Sequence, residues 1–223
     1  MVESAVVTSS PVTSPPVAAH RPAAEGAGGP RRVSPAAHLT ERFAAGEVVG
    51  PRAVSLREVP FLTMVGLRSV PGSAAAGRLE RALGTSLPLR CGEVTTSAAG
   101  SSVLWLSPDE FLVVDDRPPA ALTDGLVEAL GDGPGAVLDL SANRTTLALA
   151  GPSARAVLEK GCPLDLHPRS FAVGTAWLTM IGAVPVLLWK TGDDAFWIMP
   201  RSSYADFLGR WLIDAMEEFA GPG

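Results

Sequence analysis

The stretch Val137–Leu166, VLDLSANRTTLALAGPSARAVLEKGCPLDL, decides how this chain folds. Its first half predicts two strands separated by a polar corner, at Val137–Leu140, Ser141–Arg144 and Thr145–Ala150. Gly151-Pro152-Ser153 then begins a helix, because proline is tolerated in a first turn. That helix carries its apolar residues on one face and ends at Gly161. A strand–turn–helix unit of this kind needs a sheet to pack against.

The same order of elements is predicted twice. Strand–helix–strand–strand–strand–helix runs over roughly 55–130 and again over roughly 137–217. The matching segments are Thr63–Leu67 with Thr146–Ala150, Val103–Leu106 with Leu187–Trp189, and Asp109–Phe111 with Asp193–Phe196. Chance similarity between two generic halves is the alternative. The repeat predicts an α+β fold of two βαβ-type units packed together, each with an antiparallel sheet and helices on one face.

Four segments follow from this pattern. Residues 1–35 are rich in Pro, Ala, Ser, Thr and Gly and are predicted to form a disordered tail, because they cannot bury enough apolar surface to offset the entropy of ordering. Residues 36–134 form the first α+β half and 135–217 the second. Residues 218–223 are predicted to be a short C-terminal tail.

Composition narrows the class of protein. The chain is 47% hydrophobic and 18% charged, which indicates a large core or a surface covered by a partner. No apolar run reaches the roughly 18 residues that span a bilayer, so no membrane partner is expected. A net charge of −5 without a Lys/Arg cluster gives no reason to expect nucleic acid. The start shows no secretory signal, so the cytoplasm is the expected location.

Catalytic motifs are not found in the sequence. It contains no P-loop, GxGxxG, GxSxG or HExxH pattern. The histidines His20, His38 and His167 are scattered, and Cys91 and Cys162 lack metal-ligand spacing and are expected to be buried thiols. We therefore predict no catalytic, cofactor-binding or metal-binding residue on this chain.

Three polar groups merit attention even so. The pairs Asp109/Glu110 and Asp193/Asp194 lie in predicted hairpin turns, where turn chemistry favours such residues. Asp139, with Ser141 and Arg144, forms the best polar cluster, at a strand end. A ligand site and a hydrogen-bond network at the strand corner account for this cluster equally well.

Five tryptophans are the most informative side chains: Trp105, Trp177, Trp189, Trp197 and Trp211. Most are expected in the core because each buries a large area. Alternation along Thr175–Met180 puts Trp177 on the opposite face from Leu178 and Met180. At least one tryptophan is therefore expected to point outward as an interface anchor.

Several segments resemble the gamma subunits of bacterial heterotetrameric sarcosine oxidases. They are Ser55–Glu58, Phe61–Arg68, Asp139–Thr145, Gly151-Pro152, Lys160–Arg169 and Pro200–Ser202. The resemblance covers roughly 36–217, and the run Gly161–Arg169 is its most specific part. More distantly, residues 137–215 are similar to the folate-binding T-protein of glycine cleavage, an aminomethyltransferase.

This resemblance implies a fold of two ferredoxin-like units and a place in a complex with alpha, beta and delta subunits. That complex oxidatively demethylates sarcosine to glycine, forming hydrogen peroxide and, with tetrahydrofolate, methylenetetrahydrofolate. In this family FAD, FMN, NAD, tetrahydrofolate and zinc are associated with the other subunits.

One departure from the T-protein pattern argues against folate chemistry here. T-proteins carry an acidic residue in the hairpin that corresponds to Ile181–Leu187, and this chain has no carboxylate there. A non-catalytic gamma subunit that supports assembly is therefore the expected function, since a fold does not carry its function with it. The alternatives are a stand-alone folate-dependent aminomethyl or methyl carrier and an unrelated adaptor.

Overall fold

A computed structural model describes residues 32–221, with helices on the outer faces of two antiparallel sheets. The predicted disordered tail lies mostly outside this range. The first half contains α1 (Thr40–Ala45), β1 (Ser55–Val59), β2 (Thr63–Arg68), α2 (Ala74–Leu83), β3 (Val94–Thr96), β4 (Ser102–Ser107), β5 (Glu110–Asp115) and α3 (Pro119–Leu130). The second contains β6 (Ala136–Asp139), β7 (Thr146–Ala150), α4 (Ala154–Glu159), β8 (Ala176–Ile181), β9 (Val184–Gly192), β10 (Ala195–Pro200) and α5 (Ala205–Ala220).

The two sheets have the same strand order, and each takes one strand from the other half. Sheet I runs β3-β4-β5-β2-β6 and sheet II runs β8-β9-β10-β7-β1. The first strand of each half is therefore exchanged: β1 pairs with β7, and β6 pairs with β2, both antiparallel. The predicted boundary between residues 134 and 135 assigns β6 to the second half of the chain. In the structure, β6 is instead the last strand of sheet I, whose other strands belong to the first half.

The core has three parts, which lie between four layers in the order helices, sheet I, sheet II, helices. One apolar cluster lies between sheet I and helices α2 and α3, and another between sheet II and helices α1, α4 and α5. The third cluster joins the two sheets face to face and includes Met64, Leu112, Leu187 and Met199. Because the inner faces of both sheets meet, the halves share one hydrophobic interior.

The tryptophan prediction is wrong about which side chains face outward. All five tryptophans are partly buried, and Trp189 packs edge-on against Trp197 with ring centroids 5.3 Å apart. The alternation along β8 is as predicted, but the exposed side carries Leu178 and Met180. Trp177 is covered because the backbone of Gly92 lies against its indole and the Gly92 carbonyl accepts a hydrogen bond from Ala176.

The ends of the described chain are bound more closely than predicted. Ser34 and Ala36 both hydrogen bond to Glu58, so the chain is held before residue 36. Helix α5 continues to Ala220, beyond the predicted boundary at 217, because Phe219 packs beneath the cations of Arg52 and Lys160.

Two further observations concern exposure. Cys162 is buried as expected, whereas Cys91 is exposed in the turn before β3, which corrects the expectation of two buried thiols. Within residues 32–221, none of the helices has the length and apolar character that a bilayer crossing requires.

Candidate functional site

The exchange of strands makes the chain cross between the sheets twice, and both crossings line one cavity. This crossover cavity has a volume of about 240 Å³. Its first wall, from the passage between β1 and β2, consists of Val59, Phe61, Leu62 and Met64. Its second wall, from the passage between β6 and β7, consists of Ser141, Ala142, Arg144, Thr145 and Thr146. Arg32, Val33 and Pro35 complete the lining.

The predicted polar cluster is divided in the structure. Asp139 accepts hydrogen bonds from the backbone N–H and the hydroxyl of Ser141, at 2.9 and 2.6 Å. The same Ser141 hydroxyl accepts a bond from the Met64 N–H at 3.1 Å, which ties the corner after β6 to β2. These bonds form the corner network that the sequence offered as one interpretation, and Arg144 takes no part in them.

Arg144 instead is a partly buried cation that lines the cavity. One of its terminal nitrogens donates to the Met199 carbonyl at 2.9 Å. Burial lowers the pKa of the Arg144 guanidinium, and the charge of the neighbouring Arg201 lowers that pKa further. In the described part of the chain, no carboxylate forms an ion pair with Arg144. The charge is thus desolvated without an opposite charge to compensate it.

Thr146, beside the same cavity, carries an unsatisfied hydroxyl. Its residue is fully buried, and among residues 32–221 the Thr146 hydroxyl has no hydrogen-bond partner. Because Thr146 is 0% exposed, its hydroxyl is enclosed by the protein and is not reached from the cavity.

The cavity wall also contains strained backbone. Phe61 has φ of +60°, and it is the single non-glycine residue with positive φ in the described range. Arg32 lies over its ring, with the guanidinium carbon 4.7 Å from the centroid. Strain of this sort persists where the surrounding structure enforces it, which occurs frequently at binding sites.

Glu58 fixes the N-terminal segment beside the cavity. Its carboxylate accepts hydrogen bonds from the Ser34 hydroxyl at 2.5 Å, the Ala36 N–H at 3.0 Å and the Thr145 hydroxyl at 2.6 Å. The strand β1, the segment 34–36 and the start of β7 are therefore joined at one side chain.

The remaining sequence candidates lie apart from this cavity. His38 bonds to Asp206 at 2.7 Å on the surface, and the ring of His167 accepts a bond from the Arg169 N–H. Asp109 accepts a bond from Ser107 in its turn, and the Asp194 carbonyl accepts one from the Gly151 N–H. His20 is outside the described residues. In the range 32–221, no group of three or more His, Cys, Asp or Glu side chains could hold a metal ion.

Sequence reasoning identified Ser141 and Arg144 but missed Arg32, Phe61 and Thr146. A signal existed for Thr146, since it precedes an apolar run and sits at an inward position of the β7 alternation. Phe61 directly follows Pro60, and this pair of residues carries no signal for a left-handed conformation.

Comparison with known proteins adds a second line of information. The chain matches the sarcosine oxidase, gamma subunit family over residues 68–218. It is 53% identical over 189 residues to sarcosine oxidase subunit gamma from Corynebacterium sp. (strain U-96), covering 85% of this chain and 92% of that protein. It is 52% identical over 191 residues to sarcosine oxidase subunit gamma from Arthrobacter sp., covering 86% of this chain and 93% of that protein.

Two solved structures are similar as well. A chain of the heterotetrameric sarcosine oxidase from Corynebacterium sp. U-96, in complex with pyrrole 2-carboxylate, is 53% identical with a TM-score of 0.83, covering 86% of this chain and 98% of that one. The aminomethyltransferase T of the glycine cleavage system from Bartonella henselae is 19% identical with a TM-score of 0.59, covering 80% of this chain and 56% of that one. The second likeness concerns the fold alone.

Proposed function

This chain belongs to the sarcosine oxidase gamma-subunit family, and from that premise we propose that it is the gamma subunit of a heterotetrameric sarcosine oxidase. The observation that carries the proposal is the 53% identity to a chain of the solved heterotetramer, of which 98% is covered. Its partners are alpha, beta and delta subunits. The complex oxidatively demethylates sarcosine to glycine and forms hydrogen peroxide and, with tetrahydrofolate, methylenetetrahydrofolate.

Within this complex the proposed role is structural. The hairpin Ile181–Leu187 contains no carboxylate, and the residues that line the crossover cavity include no acid. An acid–base group for one-carbon chemistry is therefore missing where the T-protein pattern has one, so this proposal places no folate chemistry on this chain. FAD, FMN, NAD, tetrahydrofolate and zinc belong to the other subunits in this proposal.

The fold proposed for this role is a pair of ferredoxin-like repeats of the aminomethyltransferase type. Sheet I carries helices α2 and α3 on its outer face, sheet II carries α1, α4 and α5 on its own, and the two sheets have the same strand order. Exchange of β1 and β6 makes the pair a single body that presents sheet edges to a partner.

The edge strand β8 is the proposed docking element. Leu178 is 52% and Met180 is 38% exposed, and the strand Ala176–Ile181 carries no charge. Soluble proteins usually protect an edge with charges, proline or a cover, so an apolar edge favours burial by a partner. A permanent interface of this kind buries more than about 2,000 Å² in total.

Co-expression tests the proposal. The tagged chain, produced together with its alpha, beta and delta partners, is expected to purify as one complex that forms hydrogen peroxide from sarcosine. Omitting the chain should reduce both yield of the complex and turnover. A soluble monomer that is dispensable for assembly and turnover overturns the proposal.

Two further measurements discriminate between this proposal and the two alternative functions, a folate-dependent carrier and an unrelated adaptor. A stand-alone carrier predicts that the isolated chain binds tetrahydrofolate and loses that binding when its cavity is mutated. An unrelated adaptor predicts purification with partners that do not oxidise sarcosine.

A further inference from the structure

We propose that the outer face of helix α5 is a second docking surface for a partner subunit, one that offers an apolar pocket with basic side chains beside it. This α5 face consists of Tyr204, Phe207, Trp211, Asp214 and Glu217. The inference rests on the proposed function for the identity of the partner, and it adds a contact to the one proposed for β8. The rise of a helix places the partner's lysine or arginine about 10 Å from the pocket.

The first half of the α5 face is aromatic and exposed. Tyr204, in the turn directly before α5, is 39% exposed, and Phe207 is 56% exposed. Steps of three and four residues bring Tyr204, Phe207 and the partly buried Trp211 to one side of the helix. Aromatic side chains are enriched at the centres of protein interfaces, where they fill pockets of the partner. This half therefore calls for an apolar pocket.

The second half of the α5 face is acidic. Asp214 and Glu217 are exposed, and neither forms an ion pair within residues 32–221. Arg210, one turn before Asp214, binds Asp206 instead, at 2.9 and 3.0 Å. Like charges three residues apart destabilise a helix, and the last turn, which contains Glu217, favours cations. The isolated chain thus carries negative charge where it lowers stability, and a basic partner surface would offset that cost.

The cations near the end of α5 are already bound elsewhere. Lys160 pairs with the Glu218 carboxylate at 2.8 Å and donates to the Ala215 carbonyl at 2.6 Å. Arg52 donates to the Glu218 carbonyl at 3.1 Å, and both cations lie over the ring of Phe219. The two acids of the α5 face are therefore left for charges that another chain supplies.

The α5 face joins the surface around β8. The indole of Trp211 lies against Gly161, where a Cβ would stand 2.8 Å from the ring. The Gly161 carbonyl accepts a hydrogen bond from the Gly182 N–H at 3.0 Å, and Gly182 directly follows β8. A standard interface uses about 20–30 residues of each chain, which is more than the 6 residues of β8 supply. A partner seated on β8 needs further surface, and the α5 face is continuous with it.

Co-expression of tagged variants with the alpha, beta and delta subunits tests the aromatic half. The readout is the fraction of the chain that elutes in the complex from size-exclusion chromatography. Phe207→Ser should lower this fraction at least about fivefold, whereas Phe207→Leu, which keeps an apolar side chain, should retain most of it. The isolated Phe207→Ser chain should keep the unfolding midpoint of wild type, because the side chain is more than half exposed.

The acidic half makes two predictions of opposite sign. Asp214→Asn/Glu217→Gln should raise the unfolding midpoint of the isolated chain by about 1–4 °C, because repulsion near the helix end is removed. The same double variant should lower the assembled fraction about threefold at roughly 0.1 M NaCl. At roughly 1 M NaCl, where exposed charges are screened, it should assemble as wild type does. A merely structural role would not separate stability from assembly in this way.

Helix α3 provides matched controls on the other sheet. Val127→Ser removes an apolar side chain that is 50% exposed. Asp124→Asn/Glu128→Gln removes two exposed acids that also form no ion pair within residues 32–221. Both variants should leave assembly unchanged, and the α3 acid pair should raise the unfolding midpoint much as the α5 acid pair does.

The proposal is overturned if Phe207→Ser assembles like wild type, or if the α5 acid pair can be neutralised at low salt without loss of assembly. It is also overturned if the isolated wild-type chain is a dimer that Phe207→Ser makes monomeric, since a second copy would then cover this face. These outcomes leave the subunit proposal intact. Failure of the wild-type chain to assemble contradicts the subunit proposal itself, and the docking partner of α5 with it.

Discussion

Glu58 joins three separate parts of the chain through one carboxylate. Its partners are Ser34, Ala36 and Thr145, and hydrogen bonds to a charged group contribute more than neutral ones. Glu58→Ala should lower the free energy of unfolding by about 2–4 kcal/mol, since it leaves three groups without their acceptor. Urea denaturation measures the change.

The exposed Glu47 of the neighbouring loop provides the control. Glu47→Ala should change the free energy of unfolding by less than about 0.5 kcal/mol, as is usual for surface positions. Equal effects of the two substitutions would show that the Glu58 network contributes nothing specific.

The lowered pKa of Asp115 predicts how the stability of the fold depends on pH. Burial would raise its pKa, but hydrogen bonds from Arg117 and Ser101 and the charge of Arg117 together hold the pKa below its ordinary value. The carboxylate accepts from the Ser101 hydroxyl at 2.6 Å and from the Arg117 backbone and side chain at 2.7–3.0 Å. Because the folded pKa is the lower one, this stabilisation is complete above the unfolded pKa and is lost as pH falls through the folded pKa.

Asp115→Asn should therefore destabilise the chain most near neutral pH, with the difference from wild type shrinking as the pH falls below about 4. Thermal unfolding between pH 3 and pH 7 measures this convergence. Asp132→Asn, at an exposed position, should show the same dependence of the unfolding temperature on pH as wild type over this range. If Asp115→Asn lowered the unfolding temperature by the same amount at every pH, the depressed pKa of Asp115 would not contribute to stability.

At the scale of elements, two glycines inside helices make opposite predictions. A Cβ on Gly209 of α5 would lie 2.6 Å from a methyl group of Leu39 and 3.1 Å from the ring of Phe43. A Cβ on Gly125 of α3 would meet nothing within 4 Å. The first glycine is required for close packing of α5 against the N-terminal helical segment, and the second is not.

Gly125→Ala should raise the free energy of unfolding by about 0.5–1 kcal/mol through helix propensity. Gly209→Ala gains the same propensity but should lower stability by about 1–3 kcal/mol through overpacking. Chemical denaturation of the pair decides the matter, because stabilisation by both substitutions would mean that α5 does not pack as described.

Most elements could be predicted from local sequence, but their pairing could not. Helix α3 has local signals at both ends, because proline begins it and Gly131, at φ +54°, follows its end. The exchange of β1 and β6 escaped prediction because hydrophobic alternation defines a strand without identifying its neighbour. In α5, the large apolar side chain of Phe207 is 56% exposed, since the buried stripe Ala205, Leu208, Leu212, Ala215 and Phe219 passes one residue beside it.

The candidate site was less predictable for the same reason. Ser141 and Arg144 were visible as polar residues at a strand end, where ligands often bind. In the structure Ser141 bonds to Met64 and Arg144 bonds to Met199. Which segments face these two residues is determined by the exchange of strands, and the local sequence does not contain that information. The unpaired hydroxyl of Thr146 likewise follows from the tertiary fold.

The two edges of sheet II differ in character. Edge strand β1 carries Arg57 and Glu58, and the segment 34–36 covers part of it. Edge strand β8 carries no charge, is covered at Ala176 by the Gly92 backbone, and beyond that point exposes Leu178 and Met180. Only the second edge resembles the surface of an obligate subunit, because charge at an edge discourages pairing with another chain.

Leu178→Asp should therefore abolish most assembly of the co-expressed complex while the isolated chain keeps its unfolding midpoint, since the side chain is already half exposed. Val127→Asp is the matched control, because Val127 is 50% exposed on α3, on the far side of sheet I from β8. Size-exclusion chromatography with sarcosine-dependent peroxide formation measures both variants. Loss of assembly in Val127→Asp with an intact Leu178→Asp complex would move the docking surface to the helical face of sheet I, and equal assembly of both would remove β8 from the interface.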